Sequence, residues 1–351
     1  MLQRIRIGNR WIGPDDPPYF IAEVGANFDS SLDEAKRIVE VAKKVGADAV
    51  KFQSFTADTL VSDHSFATLK IGYQAGWTES VRDVYQSAEF PLAWHREVAE
   101  HSRKVGIQFF TSVWNRAALA QMEALGAPVH KIGSGDLTWT DFIAEVAKTG
   151  KPVFLSTGAS ELAEVAEAVA AVRSTGNDQL ILLQCIVNYP SRHESANIRV
   201  LETYRKAFGT LVGYSDHSPG DVVPLGAIAL GACVIEKHFT LDRRRVGPDH
   251  GHSLEPQEFH AMVERGRVLQ RALGSSEKRV MEEEKDSKVI MRRSLHTQRA
   301  VAAGEPFTEG NVIALRPATG IAPALRPLVL GRKAVRSMAA GQAIRWEDVG
   351  G

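Results

Sequence analysis

Leu211-Val212-Gly213-Tyr214-Ser215-Asp216-His217 and Ala232-Cys233-Val234-Ile235-Glu236-Lys237-His238 are two apolar runs, each closed by a histidine. Residues 221–231 between them are rich in Ala, Leu and Gly and predict a helix. The unit reads as strand–helix–strand. Parallel strands joined by one crossover present their C-terminal ends on the same rim. Both histidines then stand on that rim. Neutral imidazoles there either hydrogen-bond to neighbours or bind a divalent metal with coordination positions left open.

The same alternation extends outward along the chain. Strands are expected at 19–26, 47–53, 108–113, 129–134, 152–157, 180–185, 211–216 and 232–240. Helices are expected at about 32–45, 91–105, 115–125, 140–148, 160–174, 197–207, 221–231 and 256–273. Near-continuous apolar strands suit a parallel sheet buried on both faces. Count and length fit an α/β chain folded as a (β/α)8 TIM barrel. A doubly wound sheet is the alternative, but the Gly-rich strand end lacks G-x-G-x-x-G spacing.

Residues 4–13 alternate around Gly8-Asn9 and predict a hairpin that floors the barrel. The connection from about 54 to 91 is too long for an ordinary βα loop. It carries Phe55, Phe66, Tyr73, Trp77 and Tyr85, and is expected to form a lid or substrate wall. Residues 274–288 are polar and charged and predict a linker between a barrel at 1–273 and a small β-rich domain at 289–351. In that domain the stretch from Val301 to Val312 is echoed by the stretch from Met338 to Val349, a weak internal repeat.

The chain of 351 residues is 44% hydrophobic and 24% charged, enough for a large core. A formal net charge of +0 argues against a nucleic-acid partner. Cys185 and Cys233 lie in apolar runs and read as small core residues. No signal-peptide pattern or membrane-spanning run is visible, so a cytoplasmic protein without a membrane partner is expected.

In a barrel, the chemistry belongs at strand C-termini. Those positions offer Glu23 and Asn27, Lys51 and Gln53, Thr111 and Ser112, then Lys131, Ser134 and Asp136. Ser156 and Thr157, Asn188 and Tyr189, Ser215, His217 and His238 complete the rim. Lysines on apolar strands are costly unless an anion pairs with them. With the hydroxyls they suggest a phosphate or carboxylate site beside a metal.

These motifs resemble the sialic acid synthases. The resemblance rests on Ile21-Ala22-Glu23-Val24-Gly25-Ala26-Asn27, Ala49-Val50-Lys51-Phe52-Gln53, Lys131-Ile132-Gly133-Ser134-Gly135 and Leu155-Ser156-Thr157-Gly158. The two histidine motifs, Gly247-Pro248-Asp249 and Ser253-Leu254-Glu255-Pro256 extend it. The tail, with Leu315-Arg316-Pro317 and Gly320-Ile321, is similar to the antifreeze-like (SAF) domain of those enzymes. The resemblance implies condensation of phosphoenolpyruvate with a hexosamine aldehyde such as N-acetylmannosamine. The products would be a nine-carbon ulosonic acid and phosphate, on a polysaccharide-precursor route. It implies a metal at His217 and His238, manganese in most members, with Mg2+ or Co2+ as alternatives. It assigns phosphoenolpyruvate to Lys51, Ser112, Lys131, Ser134, Ser156 and Ser215, and a proton to Glu23, with Lys51 and Lys131 catalytic. Gln53, Asp136, Tyr189 and Asp249 would contact the sugar, as would Arg316 from the other subunit of a domain-swapped homodimer.

The chain departs from the family pattern at Phe28, Ser112, Asp136, Gln184 and Val187, which bears on the acceptor and on efficiency. In Asp249-His250-Gly251-His252 only Asp249 is expected to face the sugar. Two other functions remain open. One is a Schiff-base pyruvate aldolase with Lys51 or Lys131 as nucleophile. The other is a non-catalytic carbohydrate-binding protein built on the tail.

Overall fold

The computed structural model describes residues 4–69, 71 and 77–351. Tyr73 lies outside the described residues. The chain forms two compact units, Met1–Gly274 and Ser275–Gly351.

The first unit opens with the hairpin β1 (Ile5–Ile7) and β2 (Arg10–Ile12), turned at Gly8, whose φ is 58°. Eight parallel strands follow: β3 (Tyr19–Glu23), β4 (Ala49–Ser54), β5 (Gln108–Val113), β6 (His130–Ile132), β7 (Val153–Ser156), β8 (Leu180–Cys185), β9 (Leu211–Asp216) and β10 (Val234–His238). They pair in chain order, and β10 returns to β3, so the sheet closes. Closure rules out the doubly wound alternative.

Local chemistry sets each crossover. The helix Arg116–Leu125 is one example. The Asn115 side chain accepts the Ala118 N–H at its start. Ala118, Leu119 and Met122 face the barrel, and Gly126 ends the helix at φ 71°.

Tyr19, Phe110 and Phe154 pack inside the barrel, with ring centroids 6.5 and 5.9 Å apart for the two pairs that share Phe154. Arg10 of the hairpin pairs with Asp48 and lies over the Tyr19 ring at 5.5 Å. The hairpin therefore sits at the N-terminal end, where Asp48 precedes β4. The long connection after β4 contains the short helices Ala57–Leu60, Asp63–Phe66 and Val81–Ser87. Its aromatic rings meet one another and the barrel: Phe55 to Trp114 is 5.2 Å and Trp77 to Tyr85 is 6.3 Å.

In the second unit, the helix Lys285–Met291 precedes β11 (Ser294–Thr297), which pairs antiparallel with β12 (Val312–Leu315). Val301 and Met338, the first residues of the two repeat copies, bridge antiparallel. Leu295, Val301, Phe307, Val312, Ile321, Met338 and Ile344 form a separate small core.

Candidate active site

Side chains alternate across a strand. In a barrel one parity points inward, and here that parity is polar at the C-terminal ends. Glu23 stands opposite Lys51 on one side and His238 on the other. Ser112 stands opposite Gln53 and Lys131, and Ser215 opposite Cys185 and Glu236.

Two lysines and two glutamates interlock there, all buried. Lys51 Nζ lies 2.6 Å from Glu23 Oε2 and 3.6 Å from Glu236 Oε1, and donates to Ser112 Oγ at 2.9 Å. Lys131 Nζ donates to Glu236 Oε1 at 3.3 Å, and Ser215 Oγ donates to the same oxygen at 2.9 Å. Gln53 Nε2 donates to the other oxygen of Glu23 at 2.7 Å. Ser156 Oγ is buried without a hydrogen-bond partner, and Ser134 Oγ accepts the Gly158 N–H at 3.0 Å.

The four charges are unequal. Burial raises Glu236, but Lys131, Lys51 and Ser215 outweigh it and hold its carboxyl at about 2. Burial, with Glu236 nearby, pushes Glu23 up to about 7 despite Lys51 and Gln53. Burial lowers Lys51 but its two carboxylates more than restore it. Lys131 stays below its ordinary value, because burial and the Lys51 charge exceed the help from Glu236. An anion arriving at this rim meets one under-compensated ammonium and one carboxyl ready to hold a proton.

Glu236 was missed in the sequence reading. Its signal was available, since it shares strand parity with His238 two residues on. Lys237 has the opposite parity. It points outward, buried, and pairs with Asp216 and the Ser218 carbonyl. That pair ties together the two strands that carry the histidines.

His217 and His238 lie side by side, ring centroids 5.4 Å apart. His217 Nδ1 donates to the Ile186 carbonyl at 2.7 Å, which leaves Nε2 free as a lone-pair donor. Burial holds His217 at about 3 and His238 well below its ordinary range, so both are neutral, the ligating form. His238 Nδ1 is buried without a hydrogen-bond partner. The donor set therefore fits a divalent metal.

Asp249 Oδ2 accepts the Ala26 N–H at 2.8 Å. Gly25 makes that approach possible. A Cβ there would lie 2.2 Å from Asp249 Oδ2, and its φ is 53°. His250 is anchored away from the rim: its ring nitrogens bond to Thr240 Oγ1 at 2.7 Å and to Asp29 Oδ1 at 2.8 Å. Of residues 249–252, Asp249 lines the cavity above the rim. His252 also turns in, its ring 4.7 Å from that of His238. The loop bridge between Phe239 and Leu254 brings it there.

A cavity of about 270 Å³ opens above, lined by Gln53, Phe55, Trp77, Tyr85, Trp114, Tyr189, His238 and Asp249. Gln53, Tyr189 and Asp249 thus share one cavity. Asp136 does not line it; it lies in the turn Ser134–Asp136, its carboxyl raised to about 6 by burial. Arg316 is exposed in the second unit, after β12.

Two departures from the family pattern lie off the rim. Phe28 packs in an aromatic cluster, 5.2 Å from Phe90 and 6.2 Å from Trp94. Gln184 points outward and accepts the Tyr204 hydroxyl at 3.2 Å. Both pack against neighbouring side chains and neither lines the cavity above the rim. Val187 covers Gly158, where a Cβ would lie 2.6 Å from its Cγ2.

Residues 38–278 match the NeuB family, and residues 292–350 match the SAF domain. The N,N'-diacetyllegionaminic acid synthase of Campylobacter jejuni is 37% identical over 330 residues, 93% of this chain and 98% of that protein. The pseudaminic acid synthase of Helicobacter pylori is 34% identical, over 95% of this chain and 98% of that protein. The crystal structure of the N-acetylneuraminic acid synthetase of Leptospira borgpetersenii superposes with a TM-score of 0.73 at 30% identity, covering 82% of this chain and 95% of that one.

Proposed function

The chain belongs to the NeuB family, and from that premise we propose that it condenses phosphoenolpyruvate with the open-chain aldehyde of an N-acylated amino hexose. The products are a nine-carbon ulosonic acid and inorganic phosphate. The observation that carries this reading is the buried Lys51–Glu23 and Lys131–Glu236 cluster beside neutral His217 and His238, beneath an aromatic-walled cavity.

The steps follow from the residues. Lys51 and Lys131, with Ser112, Ser134, Ser156 and Ser215, hold the phosphate and carboxylate of phosphoenolpyruvate. Its C3 attacks the aldehyde carbon, and the aldehyde oxygen, now an alkoxide, takes a proton from solvent. Water then adds to the cationic C2, and Glu23, positioned by Gln53 and Lys51, takes its proton. The C2–O bond to phosphate then breaks as the C2 hydroxyl gives its proton to the departing phosphate, leaving the ketone, and the lysines stabilise the departing charge. When bound by His217 and His238, a divalent metal, manganese in keeping with the family, supplies Lewis-acid activation of the acceptor carbonyl. Gln53, Tyr189 and Asp249, which share the cavity, orient the acceptor. The cytoplasm is the compartment this reading requires, which cell fractionation checks.

Arg316 serves the acceptor pocket of a second subunit in a homodimer. Its fork of donors suits an acyl carbonyl or hydroxyls. Heterodimers of an Arg316→Ala chain and a His217→Ala chain should regain activity that neither homodimer has. No recovery in verified heterodimers removes this role.

Glu23 supplies the test of the chemistry. With its carboxyl at about 7, the base form grows as pH rises through neutrality. Phosphate release should therefore increase between about pH 6 and 8 and level off. Glu23→Gln should lose about 10²-fold in kcat and lose that limb. The same raised carboxyl makes the native chain bind more protons than the unfolded chain. Its contribution to stability therefore falls as pH rises from the ordinary 4.5 to about 7. A Glu23→Gln enzyme with the wild-type pH profile would remove Glu23 from the proton step.

A further inference from the structure

We propose that His252 is a metal ligand, and that His238, Asp249 and His252 together hold a divalent cation, Mn2+ or a borderline ion such as Co2+. This rests on the metal-assisted reading above and adds a ligand to it.

Among the described residues, these three are the group whose donor atoms all lie within 4.8 Å of one another. Two of the groups have unmet bonding capacity. His252 Nε2 and His238 Nδ1 are buried with no hydrogen-bond partner, and the His252 side chain is 6% exposed. Native proteins rarely leave such atoms unpaired. Asp249 spends Oδ2 on the Ala26 N–H, and its Oδ1 lies 3.8 Å from His252 Nε2. That separation is too long for a hydrogen bond. Two donors on one ion, with bonds of about 2.1 Å, stand about 3 to 4 Å apart.

The loop is built to hold this arrangement. The Leu254 N–H donates to the His238 carbonyl at 2.9 Å, and the Thr240 N–H to the Leu254 carbonyl at 3.0 Å. Ser253 Oγ donates to the Asp249 carbonyl at 2.6 Å and accepts Asn27 Nδ2 at 2.9 Å. His250 takes both of its bonds on the far side of the turn His250–His252. His252 is thereby fixed against His238 rather than free to swing to solvent. The Tyr189 ring, 5.4 Å from His252 and 4.1 Å from His217, packs against both imidazoles.

Two imidazoles and one carboxylate form a harder-to-empty and more metal-selective set than two imidazoles alone. His217, on the other side of His238, remains a donor to the same ion.

The test uses full-length metal-free protein titrated with Co2+, read by calorimetry and by visible absorption, without substrate. His252→Phe keeps the ring volume and removes the donor. It should weaken Co2+ binding by ~10-fold or more and change the visible spectrum. His252→Asp, which returns an oxygen donor, should regain part of the affinity with a spectrum unlike either. Recovery in His252→Asp separates lost ligation from lost folding. A His252→Phe protein with the wild-type Kd and spectrum overturns the proposal. So does a loss of affinity that leaves the spectrum unchanged, since packing alone would do that. If His238→Ala abolishes Co2+ binding while His252→Phe does not alter it, this inference fails and the condensation reading stands. If neither variant alters Co2+ binding, the metal-assisted reading fails with it.

Discussion

Replacing His238 with Ala is expected to lower phosphate release by ~10³-fold or more while the metal-free protein melts within a few degrees of the wild type. The two halves of that expectation have different causes. His238 ends β10, and its ring touches the rings of His217, Tyr189 and His252 rather than the apolar barrel core. Its loss leaves the layer of Tyr19, Phe110 and Phe154 and the closed sheet untouched. It does remove an imidazole common to the His217–His238 pair and to the His238, Asp249 and His252 group. On the proposed metal-assisted reaction, losing one such donor should take away most metal affinity, and with it the activation of the aldehyde. Steady-state kinetics at micromolar Mn2+, beside a thermal melt of the same preparation, measures both. Full turnover would count against every metal assignment made above.

Lys51→Met should lower kcat/KM for phosphoenolpyruvate by ~10²-fold, about 2.7 kcal/mol of transition-state stabilisation. Lys51 bears on three partners at once: Glu23, Glu236 and Ser112. In the proposed mechanism its charge helps hold phosphoenolpyruvate and stabilises the phosphate that departs, so KM should rise and kcat should fall. Glu23 loses its nearest cation in this variant, and its carboxyl moves further above about 7. The rising limb of the pH profile should shift upward accordingly. Breaking a buried ion pair ordinarily costs ~3–5 kcal/mol. Here the cost should be smaller, because Glu23 takes up a proton and Glu236 retains Lys131. An effect confined to the KM of the acceptor would place Lys51 on the wrong substrate.

Much of this arrangement is legible in the chain because burial on both faces leaves a simple signature. A strand such as Leu180–Cys185 has no solvent face, so its apolar run is continuous and its limits are visible. The polar residue that ends such a run is then conspicuous, which is how Lys51, Ser215, His217 and His238 stand out. Parity within each run also decides which side chains meet inside the barrel. Glu236 and His238 point inward while Lys237 points outward, and Leu183 and Cys185 flank an outward Gln184. Counting by twos assigns Glu236 to the lysines and Gln184 to the helix Val200–Phe208. His252 was not legible in this way. Its position depends on the loop after β10 folding back to pair Leu254 with Phe239, a contact between backbone segments that no side-chain pattern announces. Phe28 belongs to the same class, because its burial comes from Phe90 and Trp94, more than sixty positions away.

The condensation forms a carbon–carbon bond between phosphoenolpyruvate and an amino-sugar aldehyde as phosphate leaves. The most direct measurement incubates the metal-loaded enzyme with phosphoenolpyruvate and a panel of N-acylated hexosamines, N-acetylmannosamine among them. Phosphate is quantified, and the mass of the organic product is read from the same reaction. Acceptor-dependent phosphate release is expected in one-to-one ratio with a nine-carbon keto acid. Chelation should abolish both signals and added Mn2+ should restore them. Product formed from pyruvate without phosphoenolpyruvate, trapped on Lys51 or Lys131 by borohydride and indifferent to chelator, would contradict the condensation.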